Sequence, residues 1–368
     1  MAIPTGSRDG RAVTLHGRRS DVAVRPALFG LAGLSALVGA FAVVRAAQNV
    51  WAVDAHRNLA AAAALLDGSF GSVPDYLYSP LAAALTVPAS MLPTDVAVVG
   101  WLLLKLGVLV VGAAIATKGL ETPDRVLAGI AVVGFLPILY DLELGNVTVL
   151  VLATIALVAW NPDRVVTGIP LGLILATAPK PQLIPVLIWM LVAHRRALAG
   201  AVVTAAGATL VGLALAGTAA YVAWVAALRA PAYLNSGEVI NLALWSLPPV
   251  VAVPSALAAI GAFSLALRRG YWPGLVAAIC LGLLLAPYTL IYGAGLMPIV
   301  APAAVRASPR AVLGLAITAP VALVLAFPAW VGLVLAVAAL LPAAVWPLRP
   351  GLVSAGSVER AAPVDSPP

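Results

Sequence analysis

The stretch VAVVGWLLLKLGVLVVGAAIAT, residues 96–117, decides the fold class of this sequence. Lys105 is the one charged residue in it. A helix needs about 20 predominantly apolar residues to cross the hydrocarbon core of a bilayer, and this stretch is long enough to do so. The sequence therefore predicts a transmembrane α-helix here, and the rest of the chain can be compared with it.

The composition of the chain extends this prediction to the whole protein. Of its 368 residues 62% are hydrophobic and 10% are charged, and the mean hydropathy is +1.06. An ordinary soluble domain carries about 25% charged residues, so this chain has too little charge to cover a surface that faces water. We expect an all-α fold, a polytopic membrane helix bundle that forms one domain.

Apolar segments of similar character predict about twelve transmembrane helices between residues 27 and 346. A basic cytoplasmic tail, residues 1–26, precedes them, and a tail predicted to be disordered, residues 347–368, follows. Leu77–Leu92 is apolar but short and broken by two prolines, which favours a segment that enters the membrane without crossing it. The predicted crossings are Ala27–Val50, Val96–Thr117, Val126–Tyr140, Val147–Trp160, Val165–Ala178, Pro181–Ala193, Leu198–Gly217, Pro248–Leu267, Trp272–Ala286, Tyr288–Val305, Ala311–Phe327 and Trp330–Trp346.

The distribution of basic residues predicts the orientation of these helices. With a cytoplasmic N-terminus and alternating crossings, most of the 21 Lys and Arg residues fall on the cytoplasmic side, as the positive-inside rule requires. This bias also accounts for the net charge of +7 without a nucleic-acid partner. We expect a multi-pass cell-membrane protein whose polar stretches Trp51–Tyr76, Asp141–Asn146 and Thr218–Ser246 lie outside.

The first outer stretch contains the strongest catalytic candidate. Asp54 follows the first predicted crossing directly, and an ionisable group held at a membrane boundary is a functional candidate by default. His56 and Arg57 lie beside it. The Ala/Leu-rich run Asn58–Leu66 predicts a short helix at the membrane surface, ended by Asp67-Gly68. The alternative is that these carboxylates are simply solvated in a loop.

Two further stretches carry polar groups between apolar segments. In YDLELGN, residues 140–146, the carboxylates of Asp141 and Glu143 lie between two predicted crossings and Gly145-Asn146 follows. These polar groups, including Asn146, could bind sugar hydroxyls or assist Asp54. Equally, Asn146 could cap the following helix and Gly145 could end the preceding one. The stretch TAPKPQ, residues 177–182, places Lys180 between two prolines.

A cation at such a helix break could bind a phosphate group. Broken helices are tolerated where they line a cavity, and lysine binds phosphate as a point charge. Lys180 is therefore a phosphate-binding candidate, and Arg229 is a second, weaker one. The alternative for Lys180 is a turn between helices with a lysine that reaches for the membrane surface. Lys105 could pair with a carboxylate in the bundle, which the sequence does not identify.

Together these elements resemble the polyprenol-phosphate-mannose-dependent α-1,2-mannosyltransferases, GT-C-type membrane glycosyltransferases of actinobacteria. The resemblance lies in the order and spacing of Asp54, Tyr78–Leu81, the Gly145-Asn146 pair and the Lys180-Pro181 pair, and of a late element at residues 286–292. It implies a GT-C-like bundle, a polyprenyl-phosphate sugar donor, a glycolipid or glycan acceptor, and an active site on the extracytoplasmic side.

The resemblance also implies residue roles. Asp54 matches the catalytic aspartate and would act as general base, and Lys180 or Arg229 would hold the donor phosphate. In the late element the family has tryptophan and histidine, where this chain has Leu290 and Tyr292. The sugar would be mannose, or arabinofuranose as in some related enzymes. The residues expected to contact substrate are His56, Arg57, Tyr78, Glu143, Asn146 and Tyr292.

No cofactor or metal is expected, because the sequence has no His/Cys ligand cluster and no glycine-rich phosphate loop. Two other classes of function remain open at this point. Many crossings with broken helices also suit a secondary transporter or lipid flippase. The replacement of the family histidine by Tyr292 also fits a scaffold subunit without activity.

Overall fold

A computed structural model of the protein describes residues 37, 52–74, 76–118, 120–133, 135–229, 243–287 and 289–300. Every element of regular structure within these ranges is a helix, which confirms the predicted all-α fold class. The two predicted tails, the last two predicted crossings and the first one apart from Leu37 lie outside the described residues.

The described residues form eleven α-helices. Single turns or short runs of 3-10 helix lie at Phe70–Ser72, Pro181–Leu183, Leu244–Ser246 and Ile291–Val300. In chain order the α-helices are α1 (Val53–Leu66), α2 (Pro80–Ser90), α3 (Thr94–Ala116), α4 (Thr122–Val133), α5 (Leu136–Leu144), α6 (Thr148–Ala159), α7 (Val165–Thr177), α8 (Ile184–Ala193), α9 (Arg195–Arg229), α10 (Pro249–Arg269) and α11 (Tyr271–Leu285).

Three of the described helices, α3, α9 and α10, are long and apolar enough to cross a membrane. The mean hydropathy of their most apolar windows is 2.3, 2.0 and 2.1, and most of these residues are not buried inside the protein. Apolar side chains that face outward on a long helix are suited to lipid. The other predicted crossings within the described residues correspond to shorter helices, so the total of about twelve stays a prediction.

Two predicted crossings are not continuous α-helices. Val126–Tyr140 is divided between α4 and α5, because Pro137 occupies the first turn of a new helix. Proline lacks the N–H that would continue the preceding helix. The described part of Tyr288–Val305 contains a 3-10 helix, Ile291–Val300, with Pro298 inside it. The expectation of one unbroken α-helix in each segment was wrong, because apolar composition alone does not register a proline break; the crossings themselves stay predictions.

The first part of the stretch Thr218–Ser246, which is predicted to lie outside, is helical. α9 continues past Gly217, where the backbone leaves the helical region with φ 78° and ψ 160°, and ends at Arg229. The residues after Gly217 are rich in alanine, which has the highest helix propensity. The residues from Thr218 to Arg229 therefore form a second helical segment that was not predicted.

The helix predicted at Asn58–Leu66 is present and starts earlier, at Val53. It ends as predicted at Asp67, and Gly68 follows with a left-handed φ of 71°. The earlier start places Asp54 in the first turn of α1 rather than in the link from a preceding crossing. A carboxylate in the first turn interacts favourably with the positive end of the helix dipole.

The core of the described protein lies around α6 and α11. Most residues of both helices are buried, on all sides rather than along one stripe, which is typical of a helix enclosed by other helices. α3 and α7 pack against α6, and α9 packs along α7. The N-terminus of α6 therefore lies inside the bundle, and the polar groups described below gather there.

The close packing of α7 on α9 gives a first prediction. A Cβ added at Gly200 of α9 would lie 2.0 Å from the carbonyl oxygen of Val165, whereas one added at Gly207 of the same helix would meet nothing within 4 Å. Gly200→Ala is expected to cost about 1–3 kcal/mol of stability, the usual range for overpacking. Gly207→Ala is the matched control, because alanine favours a helix by up to about 1 kcal/mol over glycine.

Thermal unfolding of both variants in detergent measures the difference. Equal melting temperatures for Gly200→Ala and Gly207→Ala would contradict the close approach of the two helices.

Candidate active site

Asp54 is held where α1 meets the end of α5. The chain enters α1 through Ala52, a non-glycine residue with a left-handed φ of 58°. The Ala52 N–H donates a hydrogen bond to the carbonyl oxygen of Glu143, 2.7 Å away. The Asp54 side chain is 16% exposed. The carboxylate is therefore anchored by backbone contacts on its N-terminal side and is nearly enclosed.

Gly145 allows α1 to approach this closely. It ends α5 in the left-handed conformation, with φ 73°, as glycine does most readily. A Cβ added there would lie 3.0 Å from the Cβ of Ala55 and 3.1 Å from its nitrogen. The Gly145 carbonyl accepts a hydrogen bond of 2.8 Å from Trp101 Nε1 of α3. Glycine is thus required here by backbone conformation and by space.

Asn146 connects the predicted base with the predicted phosphate ligand. Its Nδ2 donates to Asp54 Oδ2 at 2.5 Å, and its Oδ1 accepts from Lys180 Nζ at 3.2 Å. The Oδ1 atom also accepts from the Val147 N–H at 2.7 Å and the Thr148 hydroxyl at 3.3 Å. Because three donors surround Oδ1, the amide has one orientation, with its NH₂ group toward Asp54.

This arrangement brings together residues that lie far apart in the sequence. Asp54 comes from α1, Asn146 from the link between α5 and α6, and Lys180 from the link between α7 and α8. Lys180 is half-buried. Gly145 ends a helix as predicted, whereas the next helix, α6, begins after Val147 and its first N–H groups donate to Asp141 rather than to Asn146. The Asn146 amide instead contacts the two candidate residues.

A buried ion pair lies directly behind Asn146. Lys105 Nζ of α3 is 2.8 Å from Asp141 Oδ2, and both side chains are fully buried. Lys105 Nζ also donates to the Asp141 carbonyl at 2.6 Å. Asp141 Oδ1 accepts the Thr148 N–H at 2.9 Å, at the N-terminus of α6. This identifies the partner of Lys105 that the sequence did not reveal.

These contacts correct one prediction about the second polar stretch. Asp141 is not placed to bind sugar hydroxyls, because a lysine and backbone N–H groups engage both of its carboxylate oxygens. Asp141 and Glu143 also belong to α5 rather than to a loop. Glu143 is half-buried, and burial raises the pKa of its carboxyl group.

The surroundings of Asp54 set the basicity of its carboxylate. Burial raises its pKa above the ordinary value, and this effect outweighs the hydrogen bond from Asn146 and the positive charges of Lys180 and Arg57, which lower it. Arg57 Nη1 lies 3.6 Å from Asp54 Oδ1, and the Arg57 side chain is 43% exposed. A carboxylate with a raised pKa is a better proton acceptor.

The segment 76–79 fastens α1 to the end of α7. The Tyr76 hydroxyl donates to Asn58 Oδ1 at 3.0 Å. Ser79 donates twice to the end of α7, from its hydroxyl to the Ala176 carbonyl at 2.6 Å and from its N–H to the Thr177 carbonyl at 2.8 Å. Sequence reasoning missed Ser79, and its only signal was its position inside the Tyr-x-Pro-Leu element.

The remaining predicted site residues are less closely associated with this cluster. Tyr78 is half-buried and packs edge-on against Tyr76, with ring centroids 5.8 Å apart. His56 is exposed on α1, and Arg229 is exposed at the last residue of α9. Tyr292 lies in the 3-10 helix that packs against α5 and α6. The roles predicted for these residues stay predictions.

Metal ligands are not grouped in the described part of the chain. No cluster of three or more His, Cys, Asp or Glu side chains that could hold a metal ion occurs there.

Comparison with known proteins identifies the chain. Its long apolar helices and its all-helical fold define an integral membrane protein with a polar site among its helices. The profile of Glycosyltransferase family 87 matches residues 76–305. Because this match covers more than half of the chain, the protein belongs to glycosyltransferase family 87. No curated protein and no solved structure matches the chain.

The family gives the function in outline. The protein is a membrane glycosyltransferase, which uses a sugar donor and an acceptor. Of the central site residues, Asn146 and Lys180 lie within the matched residues, whereas Asp54 precedes them.

Proposed function

We propose that the protein transfers a sugar from a polyprenyl-phosphate donor to a glycolipid or glycan acceptor, with Asp54 as general base. Mannose is the first candidate for the transferred sugar, and arabinofuranose is the second. One observation carries the proposal: the Asn146 amide holds a carboxylate on its nitrogen and an ammonium group on its oxygen. A base and a cation for a phosphate leaving group are what this transfer requires.

The proposed reaction uses the two ends of this arrangement. The acceptor oxygen attacks the anomeric carbon, and its proton passes to the Asp54 carboxylate. Asn146 engages Oδ2, and the proton passes to Oδ1, which has Arg57 Nη1 3.6 Å away. The bond between the anomeric carbon and the phosphate oxygen breaks, and the polyprenyl phosphate departs with the bonding electrons. The Lys180 ammonium group stabilises its negative charge.

A donor with a lipid carrier agrees with the surroundings of the site. The site lies among apolar helices, and α3, which carries Lys105 and Trp101, is one of the candidate membrane spans. The bias of basic residues toward the predicted cytoplasmic loops supports a site on the extracytoplasmic side.

A donor screen with purified protein tests this proposal. Labelled polyprenyl-phosphate mannose and arabinofuranose are offered with a short glycan acceptor, and products are identified by mass. A new glycosidic bond formed by the wild type and lost in Asp54→Asn supports the proposal. With the acceptor confined to the outer face of sealed right-side-out vesicles, continued transfer supports the predicted orientation.

Other outcomes of this screen would point to the remaining classes of function. Movement of the lipid across sealed vesicles without a new bond would favour a transporter or flippase. No transfer from either donor would favour a scaffold.

Lys180→Met gives a prediction for the phosphate site. The donor KM is expected to rise about 10- to 100-fold, because a hydrogen bond to a charged group is worth about 1.5–3 kcal/mol and each tenfold change corresponds to about 1.4 kcal/mol. The acid limb of the pH–rate profile is expected to move to higher pH, because the Lys180 charge lowers the Asp54 pKa.

The matched variant Arg229→Met removes the other candidate cation, which is exposed at the end of α9. A larger rise of the donor KM in Arg229→Met than in Lys180→Met would place the phosphate at Arg229 instead.

A further inference from the structure

Lys105 and Asp141 are fully buried, charged and paired with each other, and each also interacts electrostatically with Asp54. Replacing a buried ion pair by neutral groups of similar size is often neutral for stability, so stability alone does not account for such a pair. The pair does hold several parts of the chain together. The Asp141 carbonyl accepts from both Lys105 Nζ and the Asn146 N–H, the latter at 3.1 Å.

The same aspartate also fixes the start of α6. Its carboxylate accepts the N–H groups of Thr148 at 2.9 Å and Val149 at 3.4 Å. Asn146 lies between these two contacts of Asp141. Its N–H donates to the Asp141 carbonyl, and α6 begins two residues later at Thr148. The chain from residue 141 to residue 149 is therefore held by hydrogen bonds to Asp141, and the ion pair with Lys105 fixes the position of the Asp141 carboxylate.

We propose that Lys105 and Asp141 are positioning residues, whose buried ion pair holds the link between α5 and α6 so that the Asn146 amide contacts Asp54 and Lys180 together. This inference rests on the catalytic role proposed for Asp54. Neither residue touches substrate in this scheme. They act through Asn146, whose hydrogen bond stabilises the charged form of the Asp54 carboxylate.

The pKa of Asp54 therefore depends on whether the Asn146 amide is oriented to donate to it. Charged and titratable groups surround it on several elements: Arg57 and His56 on α1, Lys105 on α3, Asp141 and Glu143 on α5, and Lys180 before α8. Loss of the Asn146 hydrogen bond raises the Asp54 pKa. Asp141 raises the Asp54 pKa and Lys105 attracts the Asp54 charge, so replacing both by neutral residues removes two opposed effects and leaves the net charge near Asp54 unchanged.

The experiment uses the double variant Lys105→Met/Asp141→Asn in the purified full-length protein. An apolar carbodiimide, which adds to protonated carboxyl groups, is applied at a series of pH values, and labelling of Asp54 is followed by peptide mass. The midpoint pH of labelling is expected to rise in the double variant. Turnover is expected to fall about tenfold or more, since a 1 Å misplacement can cost about 10²-fold.

Asp163→Asn is the matched control. Asp163 also caps a helix, because its carboxylate accepts the N–H of Ala197 at 2.9 Å in the first turn of α9, but it does not contact Asn146 or Asp54. This variant is expected to lose stability and to keep the labelling midpoint of the wild type. In Asp54→Asn the carboxyl group is absent, so labelling of this variant measures the reaction of the carbodiimide with other residues.

The outcomes separate this inference from the proposed function. An unchanged or lower midpoint in a folded double variant would overturn the positioning role. Since labelling needs no turnover, a raised midpoint supports the positioning role even if the donor screen finds no transfer.

Discussion

Asp54→Asn is expected to lower turnover by about 10²–10⁴-fold, the usual contribution of a positioned general base. The substitution preserves the shape of the side chain and removes its basicity. Asp54 is nearly enclosed, and burial raises its pKa, which makes the carboxylate a stronger proton acceptor than one in water. A raised pKa also predicts that the acid limb of the wild-type pH–rate profile lies above the ordinary range of carboxyl groups.

Donor binding should survive in this variant, because the phosphate contact is assigned to Lys180. The measurement is turnover at saturating donor, together with donor affinity in the absence of acceptor. Asp67→Asn is the matched control, since Asp67 is exposed at the opposite end of the same helix. Turnover of Asp54→Asn close to that of the wild type would remove Asp54 from the mechanism and make Glu143 the next carboxylate to test.

Lys105→Met alone is expected to lower the free energy of unfolding by about 3–5 kcal/mol, the cost of leaving one partner of a buried ion pair without the other. The Asp141 carboxylate would stay fully buried without its ion pair. The backbone carbonyl of Asp141 would also lose the hydrogen bond that Lys105 Nζ donates to it. The double variant Lys105→Met/Asp141→Asn should recover most of the loss, because it leaves no unpaired charge.

Thermal unfolding in detergent measures both variants. Lys118→Met, at an exposed position just beyond the end of α3, controls for the loss of a positive charge on the protein. If Lys105→Met melted with the wild type, the ion pair would not contribute to the stability of the bundle.

The parts of the site that the sequence predicted are those with local signals. Glycine between two apolar runs indicates the end of a helix, and Gly145 has this position. The cap predicted at Asn146 was wrong, because Asp141 accepts the first N–H groups of α6. An Ala/Leu-rich run predicted α1, and its end at Asp67 was correct. Prolines on both sides of Lys180 predicted the break between α7 and α8.

The parts that the sequence did not predict depend on distant contacts. The partner of Lys105 is 36 residues away, and the contact that fastens Ser79 to α7 joins residues 97 apart. Apolar periodicity has no means of selecting one carboxylate among several as the partner of a buried lysine. The prediction that Asp141 could bind sugar hydroxyls was wrong for the same reason, because a buried aspartate and a solvated one look alike in a sequence.

Lys105 and Asp141 are 36 residues apart in the sequence, which has a consequence for the biosynthesis of the protein. The ribosome adds about 5–20 residues per second, so the lysine of α3 reaches the membrane some seconds before its partner. A lysine at the centre of an inserting helix costs about 2.5–3.5 kcal/mol, whereas each Leu, Ile or Val contributes about −0.3 to −0.6 kcal/mol. The many such residues of α3, whose mean hydropathy is 2.3, offset the lysine. α3 can therefore insert into the membrane before Asp141 of α5 has been synthesised.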